Sequence, residues 1–388
     1  MSKRAKTLLL IFLFILFAFI APLTFLYSKG YQFDISTKKF VQLGGLYFKV
    51  RPNDAEITIT DTSVKKTSIF FGTALFENLL PKIYEVKIEK EGYFTWQKNL
   101  EVIEQIVTEA KDIILIPVDL EISTMESDIE DFWFSEDEKN MIYKKIGGKD
   151  ILWTIAISDI KNLETKVSTT TAEKLAVVDV LIPKIIATSS LAHKLFSDSI
   201  IWLGKDGFLY SSDINGKTSE KINTKELAVK PKAIYRVEAT DKSKIFIFEN
   251  STLYYFNSDI DNLVKISDSA KYLNFSPNNK KFVFYDNYEL WIYFIERESG
   301  QPPRQAGEKI FLMEFPEKIG NVFWLTSNYL IFNTGNEIKV SEIDDRDRIN
   351  SFSLADFENP KIFFNQVDKK LYILSKGNLI ISSNPLIR

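Results

Sequence analysis

The sequence predicts an all-β protein behind one N-terminal transmembrane helix: a small β-sandwich, then a β-propeller of about six blades. Three observations predict it. A charge-free apolar run opens the chain, short runs of alternating polarity follow it, and residues 118–388 repeat one strand–turn–strand unit.

The helix comes first. From Thr7 to Ser28 no residue carries a charge, and Leu8–Leu26 is almost wholly Leu, Ile, Phe and Ala. Nineteen such residues at about 1.5 Å each span about 28 Å, the hydrocarbon thickness of a bilayer. Lys3, Arg4 and Lys6 precede the run, and Tyr27 and Tyr31 follow it as interfacial aromatics. The positive-inside rule then makes residues 1–6 a cytoplasmic tail and 7–28 a single-pass anchor, with the bulk of the chain extracytoplasmic. Lys29, Lys38 and Lys39 weaken that bias without removing it. Pro22 lies near the far end, where a break costs least. A cleaved signal peptide would need a shorter apolar stretch and a small-x-small site, which Ala21–Tyr27 does not offer. A buried core helix is the other alternative; it fits poorly with a stretch apolar all round. Residues 29–43 read as a membrane-proximal linker.

From Tyr47 the period changes to two. Tyr47–Val50, Ala55–Thr60 and Tyr84–Lys90 alternate apolar with polar, the pattern of a strand with one buried face. Gln97–Val102 and Lys111–Pro117 follow. Turn chemistry separates them at Arg51-Pro52-Asn53-Asp54, Leu80-Pro81-Lys82 and Glu91-Gly92-Tyr93. Residues 44–117 therefore read as a small antiparallel sandwich. Gly92 serves a turn that needs a permissive backbone, Tyr93 plugs the sandwich, and Trp96 reads as core, with an exposed binding aromatic as the alternative.

These pieces resemble the PEGA domain, a small β-sandwich of extracytoplasmic and surface-layer-type proteins. The resemblance rests on Pro52 and Ala55, then Leu80–Ile88, then Gly92 and Tyr93. Asn53 and Asp54 stand at the two middle positions of the name-giving motif, and Lys82 stands where the family usually places a glycine. The family has no catalytic residues to carry over, so the resemblance implies binding or spacing.

Over 118–388 a tight turn and a following strand recur six times. They read Gly147–Trp153, Lys205–Tyr210, Glu249–Tyr254, Asp286–Trp291, Gly335–Val340 and Lys376–Ile381. A second turn precedes the neighbouring strand, clearest at Phe134–Lys139 and Phe275–Lys280. Units averaging about 45 residues fit propeller blades. The turn at Phe275–Lys280 is similar to repeats of TolB-like and WD40-like propellers, although no Trp-Asp signature is present. Val118–Ser123 is the expected closing strand of the last blade, and a second set of sandwiches is the competing fold.

Composition narrows the chemistry. The chain has no Cys and one His, His193, which removes thiolate metal sites, Cys nucleophiles and paired-His centres. Its net charge of −3 gives no electrostatic reason to expect nucleic acid as a partner. There is no phosphate-cradling loop and no Gly-x-Ser-x-Gly elbow. The acids Glu126, Asp128, Glu130, Asp131, Glu136, Asp137 and Glu138 lack calcium-loop spacing and read as solvated turns. Asp344–Arg348 reads as an exposed, self-neutralising loop. The turn-rich insertion Ser299–Gly307 in the fourth blade reads first as a solvent-exposed hairpin tip; it is also the best candidate for a contact element, with Gln301, Pro302, Pro303 and Arg304 at its centre.

The function expected is non-enzymatic, with no cofactor and no metal: a membrane-anchored scaffold of the cell envelope that engages a protein or a cell-wall polymer through propeller loops. The alternatives are a surface hydrolase using channel carboxylates, and a sensor or secretion-complex subunit.

Overall fold

The computed structural model describes residues 3–35, 38–60, 64–135, 137–147, 152–156, 183–196 and 198–387. They fall into two units: Met1–Asp119 with Asp344–Asn350, and Leu120–Ile343 with Ser351–Ile387. The propeller turn expected at Gly147–Trp153 lies partly outside the described residues, as does Glu136.

In the first unit a single helix, Lys3–Ser28, runs through Pro22. Lys6–Ser28 is long and apolar enough to cross a membrane, and none of its most apolar stretch is buried. It is therefore not a core helix. The end is capped locally: Ser28 donates to the Phe25 carbonyl at 2.8 Å, and Gly30, at φ +78°, donates to the Tyr27 carbonyl at 3.0 Å. The supposed linker 29–43 contains a hairpin instead, Tyr31–Asp34 against Lys39–Gln42. Phe33 and Phe40 face each other across it with ring centroids 5.2 Å apart. That exposed aromatic pair, not a buried face, marks these short strands, so the polarity pattern conceals them.

The sandwich has a three-stranded sheet, Thr73–Leu79, Gly44–Arg51 and Val107–Ile114, and a four-stranded one, Lys65–Lys66, Glu56–Ile59, Ile83–Glu89 and Trp96–Glu101. Alternation works as expected: Tyr84, Val86 and Ile88 turn inward while Glu85 and Lys87 face water. Phe48, Ile57, Phe76 and Trp96 fill the space between the sheets. The expected all-antiparallel pairing is corrected at one point, since Gly44–Arg51 and Val107–Ile114 run parallel. The chain crosses to the other sheet between them, which gives the long connection a parallel pair needs. Thr73–Leu79 escapes the pattern because Asn78, at φ +59°, interrupts its alternation.

Among the described residues the second unit contains six sheets, named here blades one to six. Blade one is Ile129–Phe134, Asn140–Lys145 and Leu152–Ala156; blade two is Ser190–Leu195, Ser199–Gly204, Leu209–Asp213 and Ser219–Lys221. Blade three is Tyr235–Asp241, Lys244–Glu249, Thr252–Asn257 and Asn262–Ser267; blade four is Tyr272–Phe275, Lys281–Tyr285, Glu289–Phe294 and Lys309–Glu314. Blade five is Ile319–Thr326, Tyr329–Thr334, Glu337–Glu342 and Ser351–Asp356. Blade six takes Lys361–Phe364, Leu371–Ser375 and Asn378–Ser382 from the C-terminus and Ile122–Glu126 from the start of the unit. The two ends of this unit thus share one sheet, Thr124 opposite Ile380, in a strand that overlaps the expected closing strand and runs three residues past it.

The second strand of each of blades two to six is buried on both faces, as the runs Ile-Ile-Trp-Leu, Ile-Phe-Ile-Phe, Phe-Val-Phe-Tyr, Leu-Ile-Phe and Leu-Tyr-Ile-Leu require. Neighbouring sheets cover those faces, except that Ile200 and Trp202 of blade two meet Ile186 of the short helix Lys184–Ser189. Ile201 and Leu203 meet Ile245 and Ile247; Phe246 meets Phe282 at 4.7 Å; Phe132 and Met141 meet Tyr372 and Leu379. Six separately covered sheets are a propeller, not paired sandwiches.

The turns repeat because their side chains do. In blade one Asp137 accepts from the Ser135 hydroxyl and the Lys139 amide; in blade four Asn278 accepts from the Ser276 hydroxyl and the Lys280 amide. Glu138 and Asn279 follow in the left-handed region.

Candidate functional site

Blade two carries a cleft with mixed aromatic and polar lining. Along Ser199–Gly204, Ile201 and Leu203 face blade three, so Ile200 and Trp202 face the other way. There they meet Ile186 of the short helix Lys184–Ser189. Tyr210 is the register partner of Trp202, and the two rings stack at 4.2 Å and 14°. The result is an open cleft of about 480 Å³, lined by Trp202 and Tyr210 with Thr188, Lys205, Asp206 and Ser219.

Its polar groups form fixed chains. The Trp202 indole donates to the Ser212 hydroxyl at 2.9 Å, which lies 3.0 Å from the Ser219 hydroxyl. The Tyr210 hydroxyl donates to Asp206 Oδ2 at 2.6 Å. Burial, reinforced by that carboxylate, pushes the phenol up to about 12. It therefore stays a hydroxyl at neutral pH. Lys205 donates to the Thr188 carbonyl at 2.7 Å. A Cβ at Gly204 would lie 2.2 Å from Asp206 Oδ1, so a larger residue there would displace that carboxylate. An aromatic floor with a carboxylate, an ammonium and hydroxyls at its edge suits a ring that carries hydroxyl groups.

In the sequence Lys205–Tyr210 reads only as a repeat turn. The available signal was an Asp four residues before a Tyr across a tight turn. That signal alone is ambiguous, since Asp368 accepts from Tyr372 at 2.6 Å in blade six, where the ring is wholly buried core.

The insertion Ser299–Gly307 lies between the third and fourth strands of blade four. Glu298 and Arg304 exchange backbone hydrogen bonds at 3.0 and 2.9 Å. The Glu298 carboxylate holds the Lys281 ammonium at 2.7 and 2.8 Å, and that lysine is buried. Arg304 is buried too, paired with Glu308 at 2.7 Å and set over the Phe294 ring. Within this loop Gln301 and Pro303 are exposed, Pro302 is half-buried, and Arg304 is part of the loop's foundation.

The remaining residues singled out in the sequence sit apart from the cleft. Pro52 opens a turn in which Asp54 has φ +60°, Ala55 is buried in the sandwich, Gly92 has φ +81°, and Tyr93 packs half-buried on the sandwich core. Lys82 keeps a negative φ, so that turn needs no glycine. His193 is half-buried in the first strand of blade two. Of the acids singled out, Glu126 of blade six pairs with Lys145 at 2.9 Å, and Glu130 and Asp131 of blade one pair with Lys144 at 3.1 Å and Lys361 at 2.5 Å. Among the described residues no three acidic or imidazole groups converge as a metal site would require.

No protein-family model matches the chain, and no curated protein matches it by sequence. Solved structures similar to it include a β-propeller domain and an extracellular domain. The β-propeller domain of Cps50 (Swd1) from Myceliophteria thermophila is 9% identical, covering 76% of this chain and 92% of that one, with a TM-score of 0.35. Hsv2 of Kluyveromyces lactis is 12% identical over 64% of this chain and 72% of its own, at 0.34. The extracellular domain of the one-component system BT4673 from B. thetaiotaomicron is 11% identical over 78% of this chain, at 0.35; this chain spans 37% of it.

Proposed function

We propose that this chain is a membrane-anchored, extracytoplasmic binding protein of the cell envelope, without catalytic activity. Its second unit holds the ligand and its first unit serves as a PEGA-like spacer. The observation that carries the reading is the blade-two cleft, where the stacked Trp202–Tyr210 pair is edged by Asp206, Lys205 and Ser219. Aromatic rings bind the apolar face of a sugar, and fixed hydroxyl and carboxylate groups bind its edge. A cell-wall polymer is the ligand class this favours over a protein. The absence of charge from Thr7 to Ser28, and the three basic residues before it, support a retained anchor with its N-terminus in the cytoplasm.

The test is titration of the detergent-solubilised full chain with fragments of purified wall polymer, with mass spectrometry of the fragments afterwards. Binding without fragment cleavage is expected, and Tyr210→Ala and Asp206→Asn should each weaken it at least about tenfold, a loss of about 1.4 kcal/mol. Deleting 299–307 should leave it unchanged. If that deletion alone abolishes binding, the insertion is the contact element and the cleft is not; if fragments are cleaved, the protein is an enzyme.

A further inference from the structure

The first unit exposes apolar side chains at two opposite ends, and only one of these ends adjoins the helix. Gly30, just past the helix, accepts from the Leu43 amide at 3.0 Å, and the Leu43 carbonyl accepts from the Gln105 amide at 3.2 Å. The turn that holds Gln105 is thereby tied to the helix end through two hydrogen bonds. Ile103 and Ile106 in that turn are 46% and 44% exposed. Gly44 is needed beneath it, because a Cβ there would lie 2.3 Å from the Ile103 carbonyl oxygen. The neighbouring Lys82 turn joins the same end, its carbonyl accepting from Val102 at 3.0 Å, and places exposed Ile83 beside it.

The hairpin adds to this surface. Phe33 and Phe40 are about half exposed, and a hollow of about 420 Å³ separates them from the helix end at Leu23, Leu26 and Tyr27. Lys29, Lys38, Lys39 and Lys82, all exposed, stand next to these apolar groups in sequence, alongside the acids Asp34 and Glu104. Exposed apolar groups with lysines among them, continuous with a membrane-crossing helix, have the chemistry of the headgroup layer.

We infer that the hairpin Tyr31–Gln42 and the turn Ile103–Val107 form a collar seated in the headgroup region of the bilayer that the helix crosses. This rests on the reading of the helix as a retained anchor. Magnitude separates the collar from the other apolar end. Ile69, Phe70 and Phe71 are more exposed still, but their loop adjoins the far end of Gly44–Arg51, where Gly72 accepts from the Val50 amide. Eight strand residues at about 3.3 Å each put it roughly 26 Å away. The headgroup layer is only about 5–7 Å deep on each side, a depth that a separation of this size exceeds several-fold.

The chain has no native cysteine, so single-cysteine variants carry one fluorescent label each. The full chain is reconstituted in vesicles of equal parts phosphatidylcholine and phosphatidylglycerol, with the label at Ile103→Cys, Ile106→Cys, Phe14→Cys or Phe70→Cys. Labels at 103 and 106 should be blue-shifted and quenched by lipids spin-labelled near the headgroup. The label at 14 should be quenched only by deep spin labels, and the label at 70 by neither. Water-exposed labels at 103 and 106 with deep quenching retained at 14 would overturn the collar and leave the anchor standing. Loss of quenching at 14 would overturn the anchor, and the collar with it. Equal quenching at 70 and 103 would overturn the assignment of this end as the membrane-facing one.

Discussion

Lys98 donates its ammonium to the backbone carbonyl of Asp344 at 2.6 Å, across 246 residues of sequence. Both belong to the first unit, to which Asp344–Asn350 is joined although the chain reaches it only late. Lys98 is wholly buried, and the Asp344 carboxylate lies 3.7 Å from it. Arg346 holds that carboxylate through three contacts of 2.6 to 3.1 Å and donates to the Glu109 carbonyl at 2.9 Å. Asp347 accepts from the Asn99 amide at 2.9 Å. A segment that reads as a solvated charged loop is therefore built into the sandwich.

The two partners are not equivalent. Asp344→Ala leaves a buried ammonium without its carboxylate, which costs about 3 kcal/mol or more. Lys98→Met removes the buried charge and leaves Asp344 with Arg346, so its cost is smaller. Hydrogen exchange across residues 44–119 in the full chain measures both. Equal protection loss in the two variants would contradict this account.

Acid acts through the same carboxylate. Burial pushes the Asp344 carboxyl up, but the Arg346 hydrogen bonds and the Lys98 and Arg346 charges outweigh it, and the group titrates below the usual carboxylate range. A depressed native pKa adds stability that is fully present above the unfolded value of about 3.9 and is lost as pH falls through the native one. Asp344→Asn should therefore differ most from the parent at neutral pH, and the gap should narrow below about pH 4. Urea unfolding of the two proteins across that range, followed by exchange at residues 44–119, reads the gap. A gap that does not change with pH would assign the loss to geometry, not to charge.

Blade four offers a parallel case in the second unit. Glu298→Gln deprives the buried Lys281 ammonium of its carboxylate, and a loss of about 3 kcal/mol is expected. Gln301→Ala and Pro303→Ala, at exposed positions of the same loop, should stay within about 0.5 kcal/mol of the parent. Thermal unfolding of the three variants checks the order. A Glu298→Gln midpoint matching that of Gln301→Ala would show that the ion pair is dispensable.

What the sequence made legible was whatever repeats locally. The doubly buried strands Ile-Phe-Ile-Phe and Phe-Val-Phe-Tyr announce sheets covered on both sides, and turns such as Phe275–Lys280 mark their spacing. The closing strand was legible because the last unit lacked a partner before the chain ended. Features that depend on distant or mixed contacts were hidden. Thr73–Leu79 loses its alternation at Asn78; Phe33 and Phe40 are exposed on both strands of their hairpin; Asp344–Arg348 shows its charges but not the buried Lys98 that receives them. The cleft was hidden for another reason. Trp202 belongs to a core-like run, and only its register opposite Tyr210 turns it toward Asp206 and Ser219.

Closure of the second unit makes the last prediction. Leu379 is fully buried in the strand that Ile122–Glu126 joins, and it packs in one cluster with Phe132 and Met141 of blade one. Leu379→Ala should cost about 2–5 kcal/mol, the range for removing a buried leucine side chain. The diagnostic quantity is where protection is lost. If the terminal strands bind blade six to blade one, hydrogen exchange should rise in Asn140–Lys145 as well as in Leu371–Ser382, although more than 200 residues separate them in sequence. Exchange confined to Leu371–Ser382 would mean that blade six frays alone and that the shared sheet does not couple its neighbours.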